Sequence, residues 1–182
     1  MVSLRKAGAY SKKYARPNTR TSKKKSKSFI KTVPQLKIVK FNIGNKKKYD
    51  NHEFETKISL ISKENVQIRD NAIESARQYV TKILETNLLG NFYFEIRVFP
   101  HHIQRENKML TGAGSDRMQS GMKHSFGKAV GRAAIVKKGK DILLIATSGD
   151  KSIRIAKDAL ESIRAKLPCK NRIVIEKLQK IN

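Results

Sequence analysis

Residues 70–98, DNAIESARQYVTKILETNLLGNFYFEIRV, change their hydrophobic period half-way along, and that change decides the fold class. Ile73, Ala76, Val80, Ile83 and Leu84 recur at three- and four-residue spacing, which predicts a helix buried along one stripe. Asp70 stands near its start and Gly90 just beyond its end, where an acid complements the helix dipole and glycine allows the terminating turn. From Phe92 the period drops to two. Phe92, Phe94, Ile96 and Val98 alternate with Tyr93, Glu95 and Arg97, as along a strand, and Pro100 closes it.

Working upstream, Phe54, Thr56, Ile58 and Leu60 alternate with Glu55, Lys57, Ser59 and Ile61, the pattern of a half-buried antiparallel strand. Leu36 to Ile43 reads as another strand, with Val39, Phe41 and Ile43 on one side. Gly44-Asn45 before Lys46-Lys47-Lys48 reads as an exposed turn. Downstream, Ala133 to Val136 and Ile142 to Ala146 read as a strand pair across the basic turn Lys137-Lys138-Gly139-Lys140. Ile153, Ala156, Leu160, Ile163 and Leu167 predict a second helix, capped near Asp150 and stopped before Pro168. Ile173 and Ile175 mark a last strand. Two helices among mainly hairpin-like strands predict a single α+β domain over residues 33–182, with a mixed or antiparallel sheet.

The 182 residues hold 40 Lys+Arg against 15 Asp+Glu, a net charge of +25. A surface with so much like charge attracts polyanions. The excess is uneven. Residues 1–49 carry 16 basic residues and no acid, residues 50–96 carry 5 basic and 8 acidic, and residues 97–182 carry 19 basic and 7 acidic. Residues 1–32 therefore form a basic arm with too few apolar groups to fold alone, expected to order on RNA through Arg5, Lys12, Lys13, Arg16 and Arg20. Tyr10, Tyr14 and Phe29 suit either stacking on bases or packing on the domain. The absence of a long apolar run argues against a membrane span, and the basic start lacks the apolar stretch of a secretory signal. The lone Cys169 allows neither an internal disulfide nor a cysteine metal cage.

Residues 101–131 show no sustained period and read as one long loop. Within it stand Gly112, Gly114, Gly121, Gly127 and Gly131, the cations Arg105, Lys108, Arg117, Lys123 and Lys128, and the flexible Met109, Met118 and Met122. Glycine lets a backbone approach a crowded surface, Arg and Lys donate to phosphates, and Met fills irregular grooves. Such a loop suits penetration into folded RNA rather than capture of a small substrate. Other chemistries fit worse. His101-His102 with Glu106 lacks a third metal ligand at a familiar spacing, and polar packing or hydrogen bonding to RNA suits both histidines better. Gly112-Ala113-Gly114 lacks the third glycine and the strand–turn–helix setting of a dinucleotide site. Ser115, Asp116 and His124 lack a nucleophile elbow, and Asp116 is more simply an ion-pair partner for Arg117 or Arg105.

At this loop the sequence also becomes familiar. Pro100 to Met109, Thr111 to Arg117, Gly121-Met122-Lys123 and Phe126-Gly127-Lys128 closely resemble the universal large-subunit ribosomal protein sixteen family, in its archaeal and eukaryotic branch (ribosomal protein ten-e). Val33-Pro34, Phe41 with Gly44-Asn45, Gln67-Ile68-Arg69 with Asn71-Ala72, and Leu167-Pro168 before Arg172 to Lys177 extend the resemblance over about residues 33–178. The resemblance implies an α+β domain of the hammerhead or barrel-sandwich type, no chemistry of its own and no cofactor. It implies a seat on large-subunit ribosomal RNA beside the transfer-RNA corridor, among neighbouring ribosomal proteins. It also implies that the segment matching Ile103 to Arg117 points toward the peptidyl transferase region. The chain departs from the family at Ala129 and Arg132, at Thr32 and Gln35, and in its lysine-rich arm.

These readings predict an RNA-binding constituent of the large subunit, with phosphate contacts at Arg105, Lys108, Arg117, Lys123 and Lys128. His101 and His102 would bond RNA or anchor the loop's start, and Gly112 and Gly114 would give its tip reach. Deleting Gln104–Arg117 is expected to leave the fold intact and impair translation. A transiently binding assembly factor is the alternative among binding proteins. An enzyme using the loop as a lid lacks a coherent acid, base, nucleophile or metal set.

Overall fold

The computed structural model describes residues 7–11, 30, 32–107, 112–114, 117, 122 and 127–178. Eight strands run Asn42–Gly44 (β1), Thr56–Ser62 (β2), Val66–Arg69 (β3), Tyr93–Ile96 (β4), His102–Glu106 (β5), Lys128–Val136 (β6), Asp141–Thr147 (β7) and Asn171–Lys177 (β8). Three α-helices span Lys46–Asp50 (α1), Asp70–Leu88 (α2) and Asp150–Ser162 (α3), the last tightening into a 3-10 turn at Ile163–Lys166. One sheet has the order β1-β4-β7-β2-β8 and the other the order β3-β6-β5. Every pairing in both is antiparallel. The α+β expectation holds, with two sheets in place of one and a third short helix. No helix among the described residues is long and apolar enough to cross a membrane.

Strand β7 lies at the centre of the larger sheet, between β4 and β2. That position explains its unbroken apolar run. Leu143 and Ile145 join the main core, while Leu144 and Ala146 face a smaller cluster with Phe54 and Tyr93 on the opposite side. The main core combines Ile58, Leu60, Phe92, Phe94 and Ile96 of the large sheet with Ile73, Val80 and Leu84 of α2 and Leu160 of α3. Ile68, Ala134 and Val136 of the small sheet join the same core, so α2 and α3 bind the two sheets into one body. On the far side, Tyr49 of α1 stacks on Tyr93 with ring centroids 4.5 Å apart. Burial, with the nearby Glu95 charge second, pushes the Tyr93 hydroxyl up to about 12, so it stays neutral.

Several expectations are corrected. The strands before and after Lys137–Lys140 do not pair with each other. β6 joins β3 and β5, whereas β7 joins β4 and β2, so the turn leads from one sheet to the other and both edges of each strand are taken by other partners. Residues 46–50 form a helix rather than an exposed turn, since the Asn45 side chain accepts a hydrogen bond from the Lys48 amide at 3.1 Å. Helix α3 does begin at Asp150, as expected, with the adjacent Gly149 as an N-cap that supplies no side-chain bond. Strand β3 escapes the period-based reading altogether.

The segment 33–41 has no ladder, although Leu36–Ile43 reads as a strand; only Asn42–Gly44 pairs. Its amides go instead to carboxylates of α2. The Lys37 amide donates to Asp70 Oδ2 at 3.2 Å and the Val39 amide to Glu74 Oε2 at 3.3 Å. Between them Ile38 is buried in the main core. Arg132 Nε holds the same segment from the other sheet, donating to the Pro34 carbonyl at 2.7 Å. At the chain's start, Ala7–Tyr10 forms a 3-10 turn. The carbonyl of the following Ser11 accepts from the Gln67 amide of β3 at 2.8 Å. The Arg69 guanidinium lies 5.3 Å from the Tyr10 ring centroid, so of the two uses left open for this tyrosine, packing on the domain is the one seen.

Candidate nucleic-acid interface

The long loop is shorter than its lack of period suggests. Both its ends are strands, β5 and β6, paired antiparallel so that Glu106 faces Lys128 and Arg105 faces Ala129, with a register shift between Gln104 and Arg105. The segment between the two strands is residues 107–127, of which 107, 112–114, 117, 122 and 127 are described. The period fails at His102, Ile103 and Gln104 because all three are buried, polar and apolar alike, on both faces of the strand. Gln104 reaches across β6 to donate to Gln67 Oε1 of β3 at 3.2 Å, passing over the small Ala133. A buried amide pair of this kind fixes register, since a slip leaves both amides unsatisfied. The deletion Gln104–Arg117 would remove three of the five residues of β5 with this pair, so it is expected to weaken the fold rather than leave it intact.

Gly127 closes the loop on the β6 side. Its φ is +79°, and a Cβ there would stand 2.6 Å from the Glu106 carbonyl carbon and 2.8 Å from the Asn107 amide nitrogen. Glycine is thus required twice, for the left-handed backbone and for the space. Gly112 and Gly114 are exposed, with φ of +144° and +78° and open space around them. The Arg117 amide donates to the Gly114 carbonyl at 3.1 Å, and Arg117 is exposed. Lys128 is exposed beside the loop's base and Arg105 is half-buried there. Lys108, Lys123, Asp116, His124 and the arm residues Arg5, Lys12, Lys13, Arg16 and Arg20 lie outside the described residues.

The two histidines part company. His102 is buried in β5, and burial, reinforced by the Arg105 charge, holds its imidazole below the ordinary histidine range. It stays neutral near pH 7. His101 is exposed, and its ring lies 4.5 Å from Phe99, which itself stacks on Phe41 at 5.3 Å. Phe99 is 42 % exposed. Phe41, Phe99 and His101 thus make an aromatic ledge at the entry to β5, and exposed rings are what single-stranded bases stack on. Phe99 was not singled out by the sequence reading; the available signal is that it breaks the alternation Phe92, Phe94, Ile96, Val98. Among the described residues no three His, Cys, Asp or Glu side chains are grouped to hold a metal.

Burying His102 neutral has a pH consequence. The unfolded chain takes up a proton below about pH 6.5, where the folded chain does not, so stability falls as pH falls from 7 toward 5. For one group the slope is at most about 1.4 kcal/mol per pH unit. Urea unfolding at pH 7 and 5.5 should give a smaller drop for His102→Gln than for the wild type; equal drops would mean that His102 is protonated in the fold.

The profile of the family described as ribosomal protein L16p/L10e matches residues 17–174. The large ribosomal subunit protein uL16 of Methanococcus aeolicus is 46 % identical over 153 residues, covering 83 % of this chain and 85 % of the relative. That of Methanococcus maripaludis is 43 % identical over 179 residues, 98 % of this chain and 97 % of the relative. That of Archaeoglobus fulgidus is 39 % identical over 174 residues, 95 % and 94 %. These relatives are ribosomal proteins rather than enzymes. With the match running through both sheets and the glycine-rich loop, the chain belongs to the ribosomal protein L16p/L10e family.

Proposed function

We propose that the protein is a structural constituent of the large subunit of the cytoplasmic ribosome. It binds ribosomal RNA and borders the transfer-RNA corridor near the peptidyl transferase centre, supporting translation and late subunit assembly. The observation that carries this reading is the mount from which the basic segment 107–127 departs: two paired strands, a buried Gln67–Gln104 lock and a glycine closure at Gly127. A rigid base suits an element that reaches into a crowded RNA site. In this reading Arg105, Lys108, Arg117, Lys123 and Lys128 contact phosphates, and His101 on its aromatic ledge stacks on or hydrogen-bonds RNA. His102 anchors the loop's start from within, and Gly112 and Gly114 let the tip approach closely. The arm, residues 1–32 with Arg5, Lys12, Lys13, Arg16 and Arg20, orders on the same RNA, while residues 33–182 form the domain. Transfer RNA and neighbouring ribosomal proteins complete the partners. The hammerhead or barrel-sandwich type belongs to the same reading.

The mechanism is neutralisation of phosphates with release of their counterions, supplemented by fit to RNA shape. With about six phosphates engaged, log affinity for protein-free large-subunit RNA should fall against log salt with a slope of about −4 to −5. Filter binding or fluorescence anisotropy across a salt series measures it. An affinity independent of salt would overturn the electrostatic mechanism.

A further inference from the structure

A second basic feature lies at the opposite end of β6 from the loop. Three segments converge there: the end of β2 with Ser62 and Lys63, the turn after β6 with Lys138 and Gly139, and the start of β8 with Arg172. They line a cleft of about 400 Å³. Its frame is held by backbone groups. The Gly139 amide donates to the Ser62 carbonyl at 2.8 Å, the Ser62 amide to Lys140 at 3.1 Å and the Lys63 amide to Lys170 at 2.9 Å. The Lys138 amide donates to Asn65 Oδ1 at 2.9 Å. The charged side chains take no part in that framework. Lys63, Lys138 and Arg172 are all exposed, and none is ion-paired with a described residue. Residues 62–65, 137–141 and 170–172 together hold six cations, Lys63, Lys137, Lys138, Lys140, Lys170 and Arg172, against Glu64 and Asp141.

We propose that this cleft is a second phosphate-binding site, which takes a strand of RNA distinct from the one met by the loop. The inference rests on the RNA-binding reading above and extends it to a part of the chain that reading does not use. Three cations brought together from three separate segments of the chain, at a cost in mutual repulsion, need an anion to offset it. The cleft offers no aromatic or large apolar anchor of the kind that gives a peptide interface most of its affinity, which favours a phosphate backbone over an acidic protein segment. Arg172 supplies a planar fork for bidentate phosphate binding and the two lysines supply point charges. Strand β6, from Lys128 to Val136, separates the two sites by about 26 Å, eight rises of about 3.3 Å. The protein is then a stiff bar with a phosphate grip at each end, holding two RNA segments at a fixed distance.

The test uses the full chain and protein-free large-subunit RNA. The triple variant Lys63→Gln, Lys138→Gln, Arg172→Gln removes the three charges, and its thermal midpoint checks the fold. The slope of log affinity against log salt should become shallower by about 2, and affinity at 0.1 M salt should fall about a hundredfold. Combined with a loop variant, the losses should add, as for independent contacts. Wild-type protein with no salt-dependent RNA binding would overturn both readings. Wild-type binding with an unchanged slope in the triple variant would overturn the cleft alone, leaving it to an acidic protein segment. Should the triple variant unfold, Lys63→Gln with Lys138→Gln, both on exposed turns, keeps the same comparison with a slope change of about 1.5.

Discussion

Glu74→Ala is expected to lower the free energy of unfolding by about 3 kcal/mol, at the lower end of what breaking a buried ion pair costs. Glu74 is 8 % exposed and serves three donors at once. Arg77 forms a two-pronged ion pair with it, Gln78 Nε2 donates to Oε1 at 3.0 Å, and the Val39 amide donates to Oε2 at 3.3 Å. The Arg77 and Glu74 side chains are 12 % and 11 % exposed, so truncation strands a guanidinium that water reaches poorly. It also frees the segment 33–41, whose amides have no strand to bond. Hydrogen exchange at the Val39 amide should therefore accelerate more than at the amides of β7. The hydrogen bond from Arg77 holds the Glu74 carboxyl below the usual carboxylate range, against the opposing effect of burial. A carboxyl lowered in the fold stabilises it above the unfolded value of about 4.5, and that contribution is lost as pH falls through the folded value. The gap between wild type and Glu74→Ala in urea unfolding should be full at pH 7 and narrow below pH 4.5. A gap under about 1 kcal/mol at pH 7 would show that the pair contributes no more than an exposed one.

Asp70 and Glu74 are two of the eight acids in the chain's near-neutral middle. In a protein of net charge +25, residues 50–96 hold more acids than bases. Two of those acids are buried and bind backbone or a guanidinium inside the fold. Acids placed on the outer surface would weaken RNA binding, whereas acids turned inward build the scaffold without that cost.

What sequence could reveal followed from where each side chain's environment is uniform. Helix α2 was legible because one face meets the core and the other meets solvent, and strand β4 because the apolar Phe94 and Ile96 of its core face alternate with Tyr93 and Glu95, which keep polar groups on the other. Strand β3 was not: at four residues, Val66-Gln67-Ile68-Arg69, it completes only two alternations, too few to stand out, and the burial of Gln67 is invisible in its polar side chain. The segment 33–41 has the alternation of a strand, but the partners of its amides are side chains 33 and 35 residues away, which no local pattern encodes. The β6–β7 connection looks like a hairpin turn, yet each strand pairs with partners distant in sequence, which no local pattern encodes. At the interface, loop cations and glycines were legible from composition. The buried His102–Gln104 stretch and the exposed Phe99 were not, because burial on both faces erases alternation and a single exposed ring resembles a core residue.

Replacing residues 107–127 by the two-residue turn Asn-Gly is expected to preserve the fold while abolishing normal translation by ribosomes carrying it. Glu106 and Lys128 already face each other across the β5–β6 pair, and Asn-Gly is the favoured two-residue hairpin turn. The replacement keeps His102, Gln104 and the Gln67 amide pair, which the wider deletion Gln104–Arg117 destroys. Shortening the closed loop from about 21 residues to about 2 lowers the closure entropy by about 2 kcal/mol, so the variant should unfold at the same or a higher urea concentration than the wild type. Its RNA affinity should move the other way. The removed stretch carries Lys108, Arg117 and Lys123, and losing their phosphate contacts should flatten the salt slope by about 2. A variant less stable than the wild type would mean that the loop packs on the domain and helps hold it. A stable variant whose ribosomes translate at the wild-type rate would remove the loop from function and leave RNA binding to the arm and the aromatic ledge. The expected combination, a firmer fold with a defective ribosome, is one that only a loop built for a partner outside the chain can give.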